Sequence, residues 1–136
     1  EKTFVLFRLT GFSRNLRKEV TKTHKYYFYD LGIRNSVIDN FKSLKERSDV
    51  GALWENFILL ERLKRNAYHH VSAAPYFWRT YTGAEIDYIE EQDTLLHGYE
   101  FKWSERSKRM PHTWFSTYPN ATYNIVTREN YLDFIL

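Results

Sequence analysis

Residues 81–104 of this chain decide the fold that we predict: Y-T-G-A-E-I-D-Y-I-E-E-Q-D-T-L-L-H-G-Y-E-F-K-W-S. Side chains alternate with a period of two over residues 84–90 and again over residues 95–103. Such alternation is typical of β-strands with two different faces. The polar residues 91–94 lie between the two runs and are typical of a turn. The stretch therefore predicts a β-hairpin.

Three charged side chains of this hairpin have a chemical use. The alternation places Asp87 on one face of the first strand with Glu85 and Ile89, and it places Glu100 and Lys102 on one face of the second strand. If those faces coincide, Asp87, Glu100 and Lys102 converge. Two carboxylates supply the oxygen ligands of a hard divalent cation, which can activate water and stabilise charge on a phosphoryl oxygen. The lysine would orient the attacking water or neutralise the developing charge. The alternative is an exposed cross-strand ion pair, which contributes little to stability.

Composition limits the class of protein. The 136 residues, with 43% hydrophobic and 18% aromatic side chains, predict one folded domain with a core and exclude a disordered chain. The absence of cysteine excludes disulfides and thiolate metal sites, and it fits the cytoplasmic localisation that we expect. No apolar run is long enough for a bilayer, so no membrane partner is expected. The net charge of +3 permits nucleic-acid binding without proving it.

Other periodic segments supply the remaining predicted elements. Asp30 and Asp49 are each expected to cap a following helix. The predicted strands and helices outside the hairpin are strands at Thr3–Leu9, Tyr26–Tyr29, 76–81 and Thr122–Thr127, and helices at 31–38, 50–66 and within Glu105–Tyr118. Residues 40–48 are predicted to form a loop.

Two features of the first half of the chain leave alternatives open. Glu55 lies among apolar residues of the predicted helix 50–66, so its carboxylate is either exposed at the edge of the apolar stripe or directed into a site. A basic connector precedes the second strand, and it either contacts phosphates or is a solvated linker. The basic residues of this connector are Arg14, Arg17, Lys18, Lys22 and Lys25.

Four segments carry a resemblance to a known family. They read Y-F-Y-D-L-G-I-R-N-S-V-I, G-A-L-W-E-N-F-I-L-L-E-R-L, Y-F-W-R-T-Y-T-G-A-E-I-D-Y-I and Y-E-F-K-W-S, in this order along the chain. The chain resembles the PD-(D/E)XK nuclease-like superfamily. More closely, it resembles the C-terminal domain of unknown function that follows an AAA-type P-loop ATPase in bacterial and archaeal ATP-binding proteins.

The resemblance implies a fold and a domain organisation. The fold is α/β, with a restriction-endonuclease-like αβββαβ core and a mixed central sheet flanked by helices. Residues 49–136 would form this core. Residues 1–48 would be an N-terminal extension that connects it to an ATPase region, and the chain begins at Glu1 without Met, as expected of a domain excised from a longer protein. The chain itself contains no G-x-x-x-x-G-K-[ST] motif.

The resemblance also implies site residues. Asp87 and Glu100 would bind Mg²⁺ or Mn²⁺, with the carbonyl of Phe101 completing the metal shell. Lys102 would position or activate water, and Glu55 would be an additional acid that binds one or two cations together with the pair. Ile86 stands where the family pattern has proline, a position that shapes the strand. The residues expected to hold phosphates are Arg79, Lys102, Arg106, Lys108 and Arg109, together with Arg14, Arg17 and Lys18 of the connector.

Two functions follow from these expectations. The first is a metal-dependent hydrolase that cleaves nucleic-acid phosphodiesters, with DNA as the expected substrate. The second is a catalytically inactive module that binds nucleic acid or docks a protein. In both, the expected partners are nucleic acid and the ATPase domain of the same polypeptide, and a homo-oligomer is an open expectation.

Overall fold

A six-stranded mixed sheet forms the centre of the computed structural model, which describes residues 4–14, 19, 23–104 and 110–136. The strands in chain order are β1 (Leu6–Gly11), β2 (His24–Phe28), β3 (Ala74–Arg79), β4 (Glu85–Gln92), β5 (Leu95–Phe101) and β6 (Thr122–Val126). The spatial order is β2-β1-β3-β4-β5-β6. The β1–β3 and β5–β6 pairs are parallel and the other three are antiparallel. The predicted α/β class with a mixed sheet is confirmed.

Helices pack on both faces of this sheet. They are α1 (Leu31–Val37), α2 (Val50–Tyr68), α3 (His112–Thr117) and α4 (Tyr131–Ile135), with a short 3-10 helix at Leu44–Glu46. Phe77 and Trp78 are successive residues of β3, so their side chains point to opposite faces. Phe77 belongs to the apolar cluster beneath α2 and α4, whereas Trp78 packs with Trp114 of α3 in a second cluster. From residue 50 onward the elements follow in the order helix, three strands, helix, strand.

The predicted hairpin is β4 and β5. Its turn consists of Asp93 and Thr94, which have φ values of 48° and 70°. Positive φ at both central residues is the mark of a two-residue type I′ turn, whose twist suits antiparallel strands. This short turn fixes the register, in which Tyr88 lies opposite Tyr99 and Gln92 opposite Leu95.

A register shift between β3 and β4 changes one predicted face. Tyr76 pairs with Ile89 and Trp78 pairs with Ile86, so three residues of β4 span the length of two in β3, as in a β-bulge. Ile89 consequently packs in the cluster beside α3, whereas Asp87 faces α2. The prediction that Asp87 and Ile89 share a face is wrong, because simple alternation does not continue through the bulge.

The two predicted caps have different outcomes. The Asp30 carboxylate accepts a hydrogen bond from the backbone N–H of Ile33, which confirms a side-chain cap on α1. Helix α2 begins after Asp49, but the Asp49 carboxylate makes no capping bond and instead accepts hydrogen bonds from Arg34 and Arg47. The short 3-10 helix lies in the predicted loop 40–48.

Within the described residues, no helix combines the length and the apolar character that crossing a membrane requires.

Candidate active site

Asp87 and Glu100 lie side by side on the central hairpin. Asp87 and Glu100 are the next residues along β4 and β5 after the paired Tyr88 and Tyr99, and Glu100 is close enough for its charge to raise the pKa of Asp87. Both residues are buried, with relative exposures of 9% for Asp87 and 0% for Glu100. Asp87 Oδ2 accepts a hydrogen bond of 2.9 Å from the backbone N–H of Phe101. Lys102 Nζ lies 2.8 Å from Glu100 Oε1. The structure thus brings together the three residues that the hairpin pattern singled out.

Glu55 enters the same cluster from α2. Its carboxylate accepts a 2.5 Å hydrogen bond from the hydroxyl of Tyr27 and lies 3.2 Å from Lys25 Nζ. Its side chain is 25% exposed. Of the two alternatives for Glu55, the structure shows the carboxylate directed toward the charged cluster of the sheet.

Sequence reasoning missed Lys25 as a member of this cluster. Lys25 is not a linker residue but part of β2, and its ammonium lies 2.7 Å from Glu85 Oε1, 3.2 Å from Glu55 Oε1 and 3.6 Å from Asp87 Oδ1. It also lies 5.6 Å from the centre of the Phe77 ring. Its position in the sequence could have indicated this, because Lys25 lies two residues before the apolar Tyr27, and residues two apart in a strand have side chains on the same face.

The contacts of α2 explain why Glu55 and Lys25 meet. Asn56, which is buried, uses its side-chain amide to bond both backbone groups of Phe28 at the edge of the sheet, with N–O distances of 2.9 and 2.8 Å. Farther along the helix, Arg62 donates two hydrogen bonds to the buried carboxylate of Glu90. These polar anchors fix α2 across β2 and β4, so Glu55 is held over both strands.

Burial and neighbouring charge perturb the acids. Burial, followed by the negative charges of Glu55 and Glu100, raises the pKa of Asp87 to about 6, although Lys25 and the Phe101 N–H act in the other direction. Asp87 therefore holds a proton more tightly than an ordinary aspartate, as expected for carboxylates that share one site.

Both lysines of the cluster stay charged near neutral pH. Burial opposes the charge of Lys102, but its hydrogen bond to Glu100 and the nearby acids raise its pKa above the ordinary value. For Lys25, burial is likewise outweighed by Glu55, Asp87 and Glu85, and the pKa is raised. Each ammonium is consequently a hydrogen-bond donor and a positive charge, and neither accepts a proton at neutral pH.

The oxygen donors of the Asp87–Glu100 pair fit a hard divalent cation. Mg²⁺ is commonly bound through one or two carboxylates and keeps several waters. The hydroxyl of Tyr123 on β6 is buried without a hydrogen-bond partner in the described part of the chain. Burial, followed by the charges of Glu100 and Asp87, raises the pKa of this hydroxyl. The hydroxyl is thus a buried donor within electrostatic range of both carboxylates.

Among the described residues, no third acid joins that pair to form a metal-binding group. Across residues 4–14, 19, 23–104 and 110–136, no group of three or more His, Cys, Asp or Glu side chains is arranged to hold a metal ion. The neighbouring acids Glu55 and Glu85 are instead directed at Lys25.

The predicted phosphate-binding residues are not all near the cluster. Arg79 donates two hydrogen bonds to Glu85, and its side chain is 39% exposed at the edge of the cluster. The guanidinium of Arg14 binds Glu91 and the carbonyl of Thr94, near the hairpin turn and away from Asp87. The remaining predicted residues of this set, Arg17, Lys18, Arg106, Lys108 and Arg109, lie outside the described residues, as does Lys22 of the connector.

A cleft connects the cluster with solvent. Its volume is about 280 Å³, and Lys25, Tyr27 and Glu55 line it together with Arg34 and the first turns of α2. A small ligand or one residue of a polymer therefore has access to the Lys25 side of the acids.

Comparison with known proteins gives two family matches. Residues 50–130 match the family described as "Domain of unknown function (DUF4143)", and residues 1–44 match the "Domain of unknown function (DUF8612)". An uncharacterized protein of Mycobacterium bovis and one of Mycobacterium tuberculosis are each 30% identical to the chain over 100 residues, which is 72% of this chain. The chain covers 22% of the length of these relatives. No solved structure matches the chain.

Proposed function

We propose that this chain, which belongs to the DUF4143 family, is a metal-dependent nuclease-like domain that hydrolyses nucleic-acid phosphodiesters. One observation carries the proposal. Asp87, Glu100 and Lys102 come together on the buried central hairpin, and Glu55 faces them from α2. Buried acids are rare in proteins unless they are paired or functional, and a carboxyl with a raised pKa is a frequent mark of an active site.

The fold supports the same proposal. A helix, three antiparallel strands, a helix and a parallel strand follow one another from residue 50 onward. We interpret this order as a restriction-endonuclease-like core of the PD-(D/E)XK superfamily. The acids then lie on the two central strands of that core. Fold likeness alone does not determine function, so the proposal rests on the side chains.

The residues have distinct roles in the proposed reaction. Asp87 and Glu100 would hold Mg²⁺ or Mn²⁺ together with the Phe101 carbonyl. When bound, the cation supplies charge stabilisation at a phosphoryl oxygen and lowers the pKa of water. Lys102, which stays protonated, donates hydrogen bonds and orients the attacking water against the phosphorus or neutralises the phosphate oxygens. Since Lys102 cannot accept a proton at neutral pH, the water's proton must leave to another acceptor, such as solvent or a phosphate oxygen.

The test combines a metal-dependent thermal melt with a nuclease assay. Wild type, Asp87→Asn and Lys102→Ala are melted with and without MnCl₂ and incubated with end-labelled single- and double-stranded DNA. Metal that binds the folded protein raises its melting temperature by mass action. We expect Asp87→Asn to lose both this rise and cleavage. We expect Lys102→Ala to keep the rise and to lose cleavage, by about 10²-fold or more as for other transition-state donors.

Matched controls exist in the same elements. Asp93→Asn makes the same chemical change on the exposed turn of the hairpin, and Lys64→Ala removes an exposed lysine of α2 that pairs with Glu61. Both controls should behave as wild type. A wild-type protein that shows neither a manganese-dependent rise in melting temperature nor cleavage would overturn the proposal.

A second candidate is a docking module, which an apolar surface favours. Among the described residues of α1 none is buried, and Val37, Phe41 and Leu44 are exposed by 68%, 69% and 49%. An apolar groove lined in part by Trp54 and Trp103 lies next to this surface. Exposed apolar patches commonly mark contacts with other proteins. We propose that the ATPase region of the same polypeptide is the partner. The alternative partner is a second copy of the chain. Light scattering of the isolated chain measures its mass in solution and so separates a monomer from a dimer.

A further inference from the structure

The ammonium of Lys25 lies between three acidic side chains on the α2 side of the hairpin. Its ammonium is within ion-pair distance of one oxygen from each of Glu85, Glu55 and Asp87, at 2.7, 3.2 and 3.6 Å. The side chain is 19% exposed, so water screens these charges poorly. Three carboxylates are thus directed at one ammonium, which is the cation that this side of the cluster holds.

Charged side chains of both signs make up the cluster. Among the described residues, four carboxylates lie in it, those of Glu55, Glu85, Asp87 and Glu100. The described cationic side chains that pair with them are Lys25, Lys102 and Arg79. Lys102 and Arg79 are each paired with one of these acids, whereas Lys25 of β2 contacts three of them, two on β4 and one on α2.

We propose that Lys25 is a positioning residue that acts as the built-in cation of the Glu55–Asp87 side of the site and excludes a divalent cation from it. This inference rests on the proposed function, since it assigns the Asp87–Glu100 side to the metal and the Glu55 side to the lysine. The site then binds at most one metal ion. Glu55 serves to hold the ammonium, together with the hydrogen bond from Tyr27.

Removal of the Lys25 charge should change which cation the three acids bind. If its charge is removed while the aliphatic stem is kept, the oxygens of Glu55, Glu85 and Asp87 remain directed at the same point without a cation. Carboxylates directed at one point repel one another strongly in a poorly solvated site, and a divalent cation relieves that repulsion. Lys25→Met should therefore create a new metal site.

The experiment counts bound manganese. MnCl₂ is titrated into wild type, Lys25→Met, Lys25→Arg and Lys64→Met, with calorimetry for the heat of binding and electron paramagnetic resonance for unbound Mn²⁺. We expect Lys25→Met to bind one equivalent more than wild type and to melt at a lower temperature than wild type when metal is absent. Lys25→Arg keeps the charge and should retain the wild-type number. Lys64→Met, an exposed lysine of α2, should do the same.

The outcomes separate this inference from the proposed function. An equal number of manganese ions in wild type and Lys25→Met overturns the inference, whatever the wild type cleaves. A wild type that binds none, beside a Lys25→Met variant that binds one, supports the inference and contradicts the metal site at Asp87–Glu100. If Lys25→Met does not fold, the double variant Lys25→Met/Glu85→Gln has one acid fewer and is compared with Glu85→Gln alone, by the same count.

Discussion

The raised pKa of Asp87 predicts that an isosteric substitution stabilises the metal-free protein. In the folded state this pKa is about 6, against 3.8 for the ordinary side chain. At about 1.4 kcal/mol for each pH unit between these values, ionising Asp87 costs the folded state about 3 kcal/mol more than it costs the unfolded chain. Because the folded-state pKa is the higher one, this loss of stability develops as the pH rises from about 4 to about 6, and it is complete above that range.

Asp87→Asn removes the ionisation and keeps the oxygen that accepts the Phe101 N–H. We expect the variant to be more stable than wild type at pH 7, by up to about 3 kcal/mol, and the difference to shrink toward zero near pH 4. The assay is urea unfolding in EDTA, followed by tryptophan fluorescence at several pH values across that window. Asp93→Asn, on the exposed turn, is the control for the chemical change itself.

Two results would refute this reasoning. A variant that is less stable than wild type at every pH would mean that the contacts of the Asp87 carboxylate outweigh its burial and the repulsion. A gain that is the same at pH 4 and pH 7 would mean that its ionisation is not the cause.

Three further substitutions test the packing around the site. Arg62→Met leaves the buried Glu90 carboxylate without its cation and should cost about 3–5 kcal/mol in urea unfolding; a loss below about 1 kcal/mol would mean that water compensates Glu90. Asn56→Ala removes both side-chain bonds to Phe28, so it should cost about 1–3 kcal/mol and speed hydrogen exchange of the Phe28 amide, which would stay slow if another group replaced the bond. Thr94→Gly relieves a left-handed backbone at φ 70° and should raise the free energy of unfolding by about 1 kcal/mol; a decrease would show that the threonine side chain stabilises the turn.

The hairpin and its charged residues could be predicted because their signals are local. Alternation over a few residues predicts the two strands, and the polar residues between them predict that the strands pair as a hairpin. Asp87, Glu100 and Lys102 lie within one such hairpin, so their proximity followed from the sequence. The role proposed for them stays a prediction.

The rest depended on contacts between distant parts of the chain. The bulge of β4 arises from its pairing with β3, so it cannot be predicted from the residues of β4 alone. Lys25 reaches Glu85 and Asp87 because β1 joins β2 to β3 in the sheet and β3 pairs with β4, an order that periodicity does not encode. Because basic residues precede Lys25 in the sequence, Lys25 was predicted to belong to a basic linker. The strand β2 has only five residues, and an alternating pattern of that length was too short to indicate that Lys25 lies in it.

The two-residue turn of the hairpin imposes a parity on the spacing of the acids. Residues directly opposite each other in β4 and β5 have numbers that add up to a constant: Tyr88 and Tyr99 give 88 + 99 = 187, and Gln92 and Leu95 give 92 + 95 = 187. Asp87 and Glu100 are the next residues along the two strands and have the same sum, so the number of residues between them is even, here 100 − 87 − 1 = 12. Lengthening both strands by one residue each changes that number by two and keeps this register, whereas one inserted residue would shift it. Among sequences that share this turn, an even interval between the aspartate and the Glu-x-Lys is thus a rule for recognising the site, and an odd interval indicates a longer loop or a second bulge.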